Sequence, residues 1–365
     1  MRNKSDTHDC APAPPLQFVA PDGSVAAELP AFTRNVQTLI ELYSALVFTR
    51  AFDEKAVALQ RTGRLGTYAS SLGQEAVSVG VCSAMREDDV FLPSFREQGG
   101  QLWRGVTPLE LLLYWGGDER GSDFAGPRQD FPVCIPVASH VPHAAGVAMA
   151  MQMRGEARAA VCIFGDGATS KGDFYEALNM AGVWKLPAVF VINNNQWAIS
   201  VPREAQTAAR TLAEKAVAAG IPGTRVDGND VIAVKHATGL ALDRARAGGG
   251  PALIECTTYR LGDHTTADDA SRYRSGDEVS AHWHLEPVSR LRQYLMAESL
   301  WDKLHEERLL IDASKRIEEA VIEFLTSTAQ PACALFDHLY ATLPAELEAQ
   351  RAQAMRGDRQ AHDDA

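Results

Sequence analysis

"VCIFGDGATSKGDFYEALNMAGVWKLPAVFVINNNQWAIS", residues 161–200, contains two apolar runs, each of which ends abruptly in small or polar residues. The first run stops at Gly165, Asp166 and Gly167, and the second stops at three asparagines at 193–195. Short apolar strands joined by a helical segment are typical of a parallel sheet, whose strands have their carboxyl ends at one edge. We therefore expect the two polar ends to meet around one ligand.

The same alternation of strand and helix continues beyond this stretch. Strands are predicted at about 159–164, 187–193, 223–227 and 251–257, with helical segments near 173–184, 207–219 and 230–247. Near-continuous apolar strands separated by helices indicate a sheet that is buried on both faces. The predicted fold class is α/β, a doubly wound, mostly parallel sheet with helices on both faces.

Three helices are predicted upstream of this alternation. Apolar residues recur at helical spacing through Val36, Leu39 and Val47, so a long helix is expected to reach about Arg61. The glycines of TGRLGTYASSLGQEA then interrupt it, and a second helix is expected to end near Met85. The stretch HVPHAAGVAMAMQMRG predicts a third helix, whose small residues suit close contact with a neighbouring helix.

Composition along the chain predicts three regions. Residues 1–33 are rich in proline, alanine and acidic residues and are expected to form an N-terminal arm with little structure of its own. Residues 34–286 carry the strand–helix alternation and are predicted to form the α/β domain. Residues 287–365 are charged and helical in pattern, and are predicted to form a C-terminal helical extension.

Overall composition argues against several classes of protein. The formal net charge of −12 disfavours a nucleic-acid partner. No apolar run approaches the roughly 20 residues that span a bilayer, so no membrane partner is predicted. The six cysteines are scattered without a CxxC pair, which disfavours a disulfide scaffold. The N-terminal residues lack an apolar signal segment, so a cytoplasmic location is expected.

The position of Asp166 between two glycines suggests a cation site. The glycines let the backbone approach a ligand closely, and the helix that follows aims free N–H groups at it. A phosphate suits those N–H groups but is repelled by the Asp166 carboxylate, a conflict that an intervening Mg²⁺ ion resolves. From this motif alone, Asp166 could instead simply cap a turn.

The asparagines strengthen the case for a cation site. Asn194 and Asn195 follow the GDG motif after 26 residues (168 to 193), which is one strand–helix–strand unit. The amide oxygen of Asn195 can therefore reach the same cation as Asp166. Three asparagines could instead form a plain turn, because asparagine favours turns. The two signals together favour a metal–diphosphate site.

The GDG motif, followed at this distance by two asparagines, resembles the motif that binds thiamine diphosphate. The surrounding sequence is similar to the α subunit of the first component of 2-oxoacid dehydrogenases, most of all to the heterotetrameric pyruvate dehydrogenase type. The resemblance runs from about Leu42 to Leu343 and includes QRTGRLGTYASSLGQEA, LPSFREQG, EKAVAAGIPGTRVDGND and YRLGDHTTADDASRYR. It implies a thiamine-diphosphate-binding fold with thiamine diphosphate and Mg²⁺ as cofactors.

The resemblance also implies roles for particular residues. Asp166, Asn195 and the backbone carbonyl of Trp197 correspond to the Mg²⁺ ligands of the family. The implied cofactor-binding residues are Phe95, Arg96, Ile135, Val137, Gly165, Asp166, Gly167, Ala168, Asn195 and His264.

Within this set, different groups would contact different parts of the cofactor. The forked donors of Arg96 suit the diphosphate, as do the backbone groups of Gly167 and Ala168. The backbone of Ile135 and Val137 would hold the aminopyrimidine ring.

His264 matches a catalytic histidine of the family that is implicated in passing the acyl group to a lipoyl arm. From the residues alone, it lies in a polar loop after the last predicted strand, where a histidine can exchange protons near neutral pH. A solvated loop histidine without a catalytic role is the alternative at this position.

The chain departs from the family pattern at several positions. Phe95 stands where relatives carry a tyrosine, which removes a hydroxyl donor toward phosphate. Asn193 stands where some branched-chain relatives have an arginine, and His140 stands where a glutamine is usual. Some pyruvate-type relatives have a second active-site histidine between about residues 116 and 122, and this sequence has none there. These departures could alter substrate recognition or acyl transfer.

The family resemblance implies partners as well. The expected assembly is an α₂β₂ heterotetramer with a β subunit, which serves a lipoyl-bearing acyltransferase component and a small 2-oxoacid. Pyruvate is the expected substrate, and a branched-chain 2-oxoacid is the first alternative. The second alternative is a non-catalytic cofactor-binding or assembly subunit. The presence of Arg96, Asp166, Asn195 and His264 argues against this second alternative.

Overall fold

The structure is a computed structural model that describes residues 13–337 and 339–363. Its strands are β1 (Val90–Leu92), β2 (Ala160–Gly165), β3 (Ala188–Asn194), β4 (Trp197–Ala198), β5 (Val201–Pro202), β6 (Gly223–Asp227) and β7 (Ala252–Thr257). Its α-helices are α1 (Val36–Arg61), α2 (Glu75–Ala84), α3 (Gln98–Arg104), α4 (Pro108–Trp115), α5 (His140–Met153), α6 (Gly172–Trp184), α7 (Arg203–Gln206), α8 (Val231–Arg246), α9 (Gly276–His282), α10 (Pro287–Ala297), α11 (Lys303–Thr326) and α12 (Ala345–Asp363). Within these described ranges, no helix is both long and apolar enough to cross a membrane.

The chain divides into two compact units, residues 1–320 and 321–365. The first unit contains every strand named above. The predicted C-terminal extension, 287–365, therefore begins inside the first unit, because α10 buries Leu291 and Leu295 in the core of that unit. The second unit consists of the end of α11, a short 3₁₀ helix at Ala332–Phe336, and α12.

Five strands form a single parallel sheet with the order β1-β2-β3-β7-β6. The register pairs Gly165 of β2 with Asn193 of β3, and Asn194 of β3 with Thr257 of β7. The ends of these three strands therefore lie side by side. The prediction of a mostly parallel α/β sheet is confirmed.

Helices cover both faces of this sheet. Alternate residues of each strand point to opposite faces, so Val161 and Ile163 join one hydrophobic cluster, whereas Cys162 and Phe164 join the other. The first cluster includes residues of α1, α2, α8 and α10, and the second includes residues of α5 and α6. Burial on both faces explains why the central strands are mainly apolar, without polar alternation, apart from the buried Glu255 of β7 and the asparagines that end β3.

The structure differs from the sequence expectations in three places. The helix expected at 207–219 is only partly helical, since α7 ends at Gln206 and a 3₁₀ helix covers Ala213–Ala219. Strand β1 was not predicted, because three residues are too few to establish a period. The hairpin of β4 and β5 was not predicted either, and it follows the asparagines directly.

The described part of the predicted arm, residues 13–33, packs against the first unit; residues 1–12 of that arm lie outside the described residues. Leu16 forms a parallel bridge with Val226 at the outer edge of β6. The backbone N–H groups of Phe18 and Val19 donate to Oδ2 of Asp230, at 2.7 and 2.8 Å. Oδ1 of Asp230 accepts from the first turn of α8, so one carboxylate both caps a helix and fastens the segment.

Replacing Asp230 with alanine is expected to lower the free energy of unfolding by about 3 kcal/mol. The substitution removes a helix cap and leaves two buried N–H groups without an acceptor. Asn35 offers a matched control, because it caps α1 through one hydrogen bond and is exposed. Asn35→Ala is expected to cost about 1 kcal/mol in the same denaturant titration. Equal losses in both variants would show that the contact with Phe18 and Val19 contributes nothing.

Candidate functional site

A cavity of about 600 Å³ lies beyond the carboxyl ends of the central strands. This is the position at which open parallel sheets bind ligands. All eleven site residues singled out in the sequence line it, and they are Phe95, Arg96, Ile135, Val137, Gly165, Asp166, Gly167, Ala168, Asn195, Trp197 and His264. The structure therefore brings together residues that are spread over 170 positions of the chain (95 to 264).

Asp166 occupies the first position after β2, in a 3₁₀ helix that covers Asp166–Ser170. Its side chain is 2% exposed, and burial raises its pKa above the ordinary value. Oδ2 accepts a hydrogen bond from Nε2 of Gln206 at 2.9 Å. The backbone carbonyl of Asp166 accepts from the Thr169 hydroxyl at 2.8 Å, which tightens the turn. The turn thus presents one buried carboxylate at the cavity.

The two glycines beside Asp166 have different structural roles. A methyl group added at Gly167 would lie 2.8 Å from Cβ of Ala198, so Gly167 is required by the close approach of the hairpin. A methyl group added at Gly165 would meet no atom within 4 Å, and the backbone there is ordinary extended chain. Gly165 therefore leaves open space beside the turn, which suits a ligand that approaches the backbone.

The three asparagines at 193–195 occupy the last two positions of β3 and the first position after it; all are buried, and each side chain has a different partner. The carboxamide oxygen of Asn193 accepts from the hydroxyl of Thr258 at 2.9 Å. Nδ2 of Asn195 donates to Gln74 at 2.8 Å, so its carboxamide oxygen faces the other way and accepts from the N–H of Trp197 at 3.2 Å. The hydrogen bond from the Trp197 N–H to Asn195 closes a turn at the asparagines, which the sequence analysis gave as the alternative to a cation site. It also fixes the orientation of the oxygen that is the candidate metal ligand.

Arg96 and His264 line the cavity together and are hydrogen-bonded to each other. The guanidinium of Arg96 donates to the carbonyl of Ser70 at 2.7 Å and to the carbonyl and Nδ1 of His264 at 2.6 and 2.8 Å. Burial and the nearby Arg260 guanidinium lower the pKa of Arg96 to about 10. The ring of Phe95 packs edge-on against the imidazole, 5.9 Å between centroids.

The same surroundings determine the protonation of His264. Burial, followed by the charges of Arg96 and Arg260, lowers the pKa of His264 to about 3, so the imidazole is neutral at ordinary pH. Both guanidinium groups can only donate, and both face Nδ1. Nδ1 is therefore the acceptor and Nε2 carries the proton. The backbone N–H of His264 donates to Asp268 at 2.9 Å, which anchors the loop.

Arg260 does not line the cavity but contacts three residues that do, Trp197, Ile199 and His264, although the sequence gave no reason to select it. Its guanidinium has 0% exposure and donates to the carbonyls of Trp197 and Ile199, at 3.3 and 2.8 Å. It also donates to the hydroxyl of Tyr273 at 2.8 Å. The available signal was its position, just after the apolar run of β7 in TTYRLGDH, where a charged residue is close to a strand end.

Lys215 is a second residue that the sequence missed. Its buried ammonium group donates to the carbonyl and the hydroxyl of Thr169, at 2.8 and 3.0 Å. Among the described residues, no carboxylate forms an ion pair with it. Lys215 therefore holds the turn that carries Asp166 and adds positive charge behind it.

Ile135 and Val137 form the opposite wall of the cavity. Their side chains are 51% and 49% exposed, and they belong to an irregular segment that ends at α5. His140, the first residue of α5, bonds the carbonyl of Ile163 through Nε2 at 2.9 Å. Burial lowers the pKa of His140, so the neutral ring donates from Nε2 and links α5 to β2. This contact gives His140 a structural role at the cavity.

The residues present fit both Mg²⁺ and a diphosphate. No group of three or more His, Cys, Asp and Glu side chains converges as a metal site within the described residues. The candidate ligands are instead one carboxylate (Asp166), one amide oxygen (Asn195) and one carbonyl (Trp197), which are the hard oxygen donors that Mg²⁺ prefers. Mg²⁺ completes such sites with phosphate oxygens and water. Arg96, the His264 N–H and the first N–H groups of the turn supply donors for the phosphates.

Two comparisons with known proteins, one with family models and one with single proteins, indicate the same family. The sequence model of the family described as "Dehydrogenase E1 component" matches residues 43–333. The chain is 42% identical to the "3-methyl-2-oxobutanoate dehydrogenase subunit alpha" of Mycobacterium tuberculosis (strain ATCC 25618 / H37Rv). The alignment spans 344 residues, which are 93% of each chain. It is also 40% identical to the "Pyruvate dehydrogenase E1 component subunit alpha" of Staphylococcus aureus (strain N315). That alignment spans 336 residues, which are 92% of this chain and 91% of the relative.

Asp166→Ala is expected to abolish the Mg²⁺-dependent retention of thiamine diphosphate, because it removes the carboxylate of the candidate ligand set. Retention is measured as cofactor bound after gel filtration, with and without Mg²⁺, for the chain co-expressed with its expected β subunit. Asp173→Ala is the matched control, since Asp173 lies in the first turn of α6 but does not line the cavity. Unchanged Mg²⁺-dependent affinity in the Asp166 variant would refute the metal assignment.

The lowered pKa of His264 predicts a pH-dependent loss of stability. Between the ordinary value of 6.5 and about 3, the unfolded chain holds a proton on His264 that the folded chain lacks. Stability therefore falls as the pH falls through this window. In urea titrations, we compare the free energy of unfolding of His264→Gln with that of the original chain. The value for the variant minus the value for the original chain should be larger at about pH 5 than at about pH 7.5.

The exposed His284 provides the control for this measurement. His284→Gln, measured at the same two pH values, gives the effect of replacing an exposed histidine. If His264→Gln behaves in the same way, the imidazole of His264 is not held neutral by its surroundings.

Proposed function

Since the chain belongs to the Dehydrogenase E1 component family, as the α subunit of a 2-oxoacid dehydrogenase, we propose that its cavity binds the diphosphate end of thiamine diphosphate through Mg²⁺. The observation that supports this most is the combination of groups that line one cavity. It holds the buried carboxylate of Asp166, the guanidinium of Arg96 and the neutral imidazole of His264. A ligand that pairs a cation with an anion matches this arrangement.

We assign the metal to Asp166, the carboxamide oxygen of Asn195 and the carbonyl of Trp197. The hydrogen bond from the N–H of Trp197 to Asn195 supports this assignment, since it holds two of the three donors in one turn. Arg260 donates to the same Trp197 carbonyl, and a carbonyl oxygen has a second lone pair available for a metal.

The diphosphate is assigned to Arg96, His264 and the backbone of Gly165, Gly167 and Ala168. Arg96 is oriented by carbonyl groups and by an imidazole, so its charge remains available to an anion. His264 presents an N–H at Nε2, which can donate to a phosphate oxygen or to a reacting group. We assign it the catalytic role implied by the family, in transfer of the acyl group to a lipoyl arm.

Thiamine diphosphate, when bound, supplies the electron sink for decarboxylation of a 2-oxoacid. The chain itself anchors the diphosphate and holds the aminopyrimidine through the backbone of Ile135 and Val137. The apolar side chains of Phe95 and Trp197 line the same cavity and limit the access of water.

The family membership implies a β subunit and a complex with a lipoyl-bearing acyltransferase. We propose an α₂β₂ heterotetramer whose active site lies between chains, with the β subunit supplying the carboxylate that activates the aminopyrimidine. The wall formed by Ile135 and Val137 supports this proposal, because two half-exposed apolar side chains are left for another surface to cover.

Pyruvate is the proposed substrate, and 3-methyl-2-oxobutanoate is the second candidate. The relatives named for these two reactions are 40% and 42% identical to the chain, so both reactions have a close relative. The second candidate is also favoured by the apolar side chains of the cavity wall, which suit a branched aliphatic group.

The test is decarboxylation by the chain co-expressed with its β subunit, with a dye as electron acceptor. Pyruvate and 3-methyl-2-oxobutanoate are compared, each with and without thiamine diphosphate and Mg²⁺. Cofactor-dependent turnover is expected, with pyruvate preferred. Preference for the branched acid would select the second candidate. No turnover from an assembled complex that retains the cofactor would contradict the proposal and favour a non-catalytic assembly subunit.

A further inference from the structure

Asp53 is a buried carboxylate that does not line the cavity and has no part in the proposed reaction. It lies within α1, is 2% exposed, and has apolar neighbours along the same helix, such as Phe52 and Ala56. Burying a carboxylate costs several kcal/mol unless hydrogen bonds replace its hydration. An apolar residue at this position would avoid that cost. The contacts of Asp53 therefore indicate what the carboxylate contributes.

Four hydrogen bonds converge on Asp53, and all come from the short segment 68–71. Oδ1 accepts from the hydroxyl of Tyr68 at 2.9 Å, and from the N–H and the hydroxyl of Ser71 at 2.7 and 3.3 Å. Oδ2 accepts from the hydroxyl of Ser70 at 2.5 Å. These hydrogen bonds oppose the effect of burial, which raises the pKa of Asp53. Because segment 68–71 has no helix or strand, its conformation depends on such contacts.

The other side of segment 68–71 contacts the anion-binding residues. The carbonyl of Ser70 accepts the 2.7 Å hydrogen bond from Arg96. The backbone N–H of Tyr68 donates to the hydroxyl of Thr266 at 3.0 Å, and the N–H of Thr266 donates to the carbonyl of Tyr68 at 2.9 Å, in the loop that carries His264. The segment thus links the Asp53 carboxylate to the Arg96 guanidinium and to the loop that carries His264.

This indirect link has an electrostatic consequence. Among the described residues, the Arg96 guanidinium has no ion pair with a carboxylate, and the acceptors of its hydrogen bonds are neutral; the Glu97 carboxylate accepts from Arg96 only through the backbone N–H. A carboxylate in direct contact with Arg96 would compete with an anionic ligand for the same donors. Asp53 instead acts through a neutral carbonyl, so the guanidinium is oriented while its charge stays available.

We infer that Asp53 is a positioning residue for the diphosphate site: through segment 68–71 it fixes the orientation of Arg96 and of the loop that carries His264. This inference rests on the proposed function, because Arg96 is the group that Asp53 positions. It predicts an effect on the affinity for the cofactor's diphosphate and little effect on the chemistry once the cofactor is bound.

The first test is Asp53→Asn in the complex with the β subunit, since asparagine keeps the volume and removes the charge and one acceptor. The dissociation constant for thiamine diphosphate, and that for inorganic diphosphate as a competitor, should each rise about tenfold. The KM for the cofactor should rise in parallel, with kcat at saturating cofactor within about twofold of the original value. Ser70→Ala removes a single link without touching a charge and should weaken binding about threefold.

Asp230→Asn is the matched control, because Asp230 is equally buried, at 2% exposed, and also accepts backbone N–H groups. It should lower the melting temperature and leave both dissociation constants unchanged. If Asp53→Asn does the same, its role is structural and the inference fails.

Failure of the proposed function would look different. In that case the original complex would not bind thiamine diphosphate, or Arg96→Gln would bind it with unchanged affinity. If the original complex binds the cofactor and Arg96→Gln does not, any result for Asp53→Asn reports on the positioning role alone.

Discussion

The parallel register of β2, β3 and β7 is the constraint on which the rest of the site depends. It places Gly165 beside Asn193, and Asn194 beside Thr257, so three chain segments leave the sheet at one edge. These strands are buried on both faces and are therefore mainly apolar, with Glu255 of β7 as a buried exception, so most of the polar residues stand at the strand ends. The carboxylate of Asp166, the amide of Asn195 and the loop that carries His264 meet in one cavity as a result.

The second feature of the site is buried charge that is oriented without being neutralised. The acceptors of Arg96, Arg260 and Lys215 are backbone carbonyls, hydroxyl groups or an imidazole. Burial, followed by the charges of Arg96 and Arg260, lowers the pKa of His264, and the two guanidinium groups determine its tautomer because they donate to Nδ1 and leave the proton on Nε2. His264 is therefore a neutral hydrogen-bond donor.

Sequence reasoning could predict the central strands and the residues at their ends. Asp166 and Asn195 were predictable because a parallel sheet brings successive strand ends together, whatever the helices do. Arg260 and Lys215 were not predictable, since their partners lie 63 and 46 positions away, in Trp197 and Thr169. A lysine in a helical pattern ordinarily indicates a solvated face. The short strand β1 was missed because three residues establish no period.

Asp53 shows why such residues escape a sequence analysis and yet matter to a site. In α1 it stands seven residues after Leu46, on the helix face that is buried, but the helical period does not show which partners a carboxylate has there. Its partners come from a segment without regular structure, which has no periodic signal at all. A ligand-binding charge must be held firmly and also left unpaired, and direct ion pairing can satisfy only the first requirement. Positioning through a neutral carbonyl satisfies both, and only the folded chain reveals which residues do it.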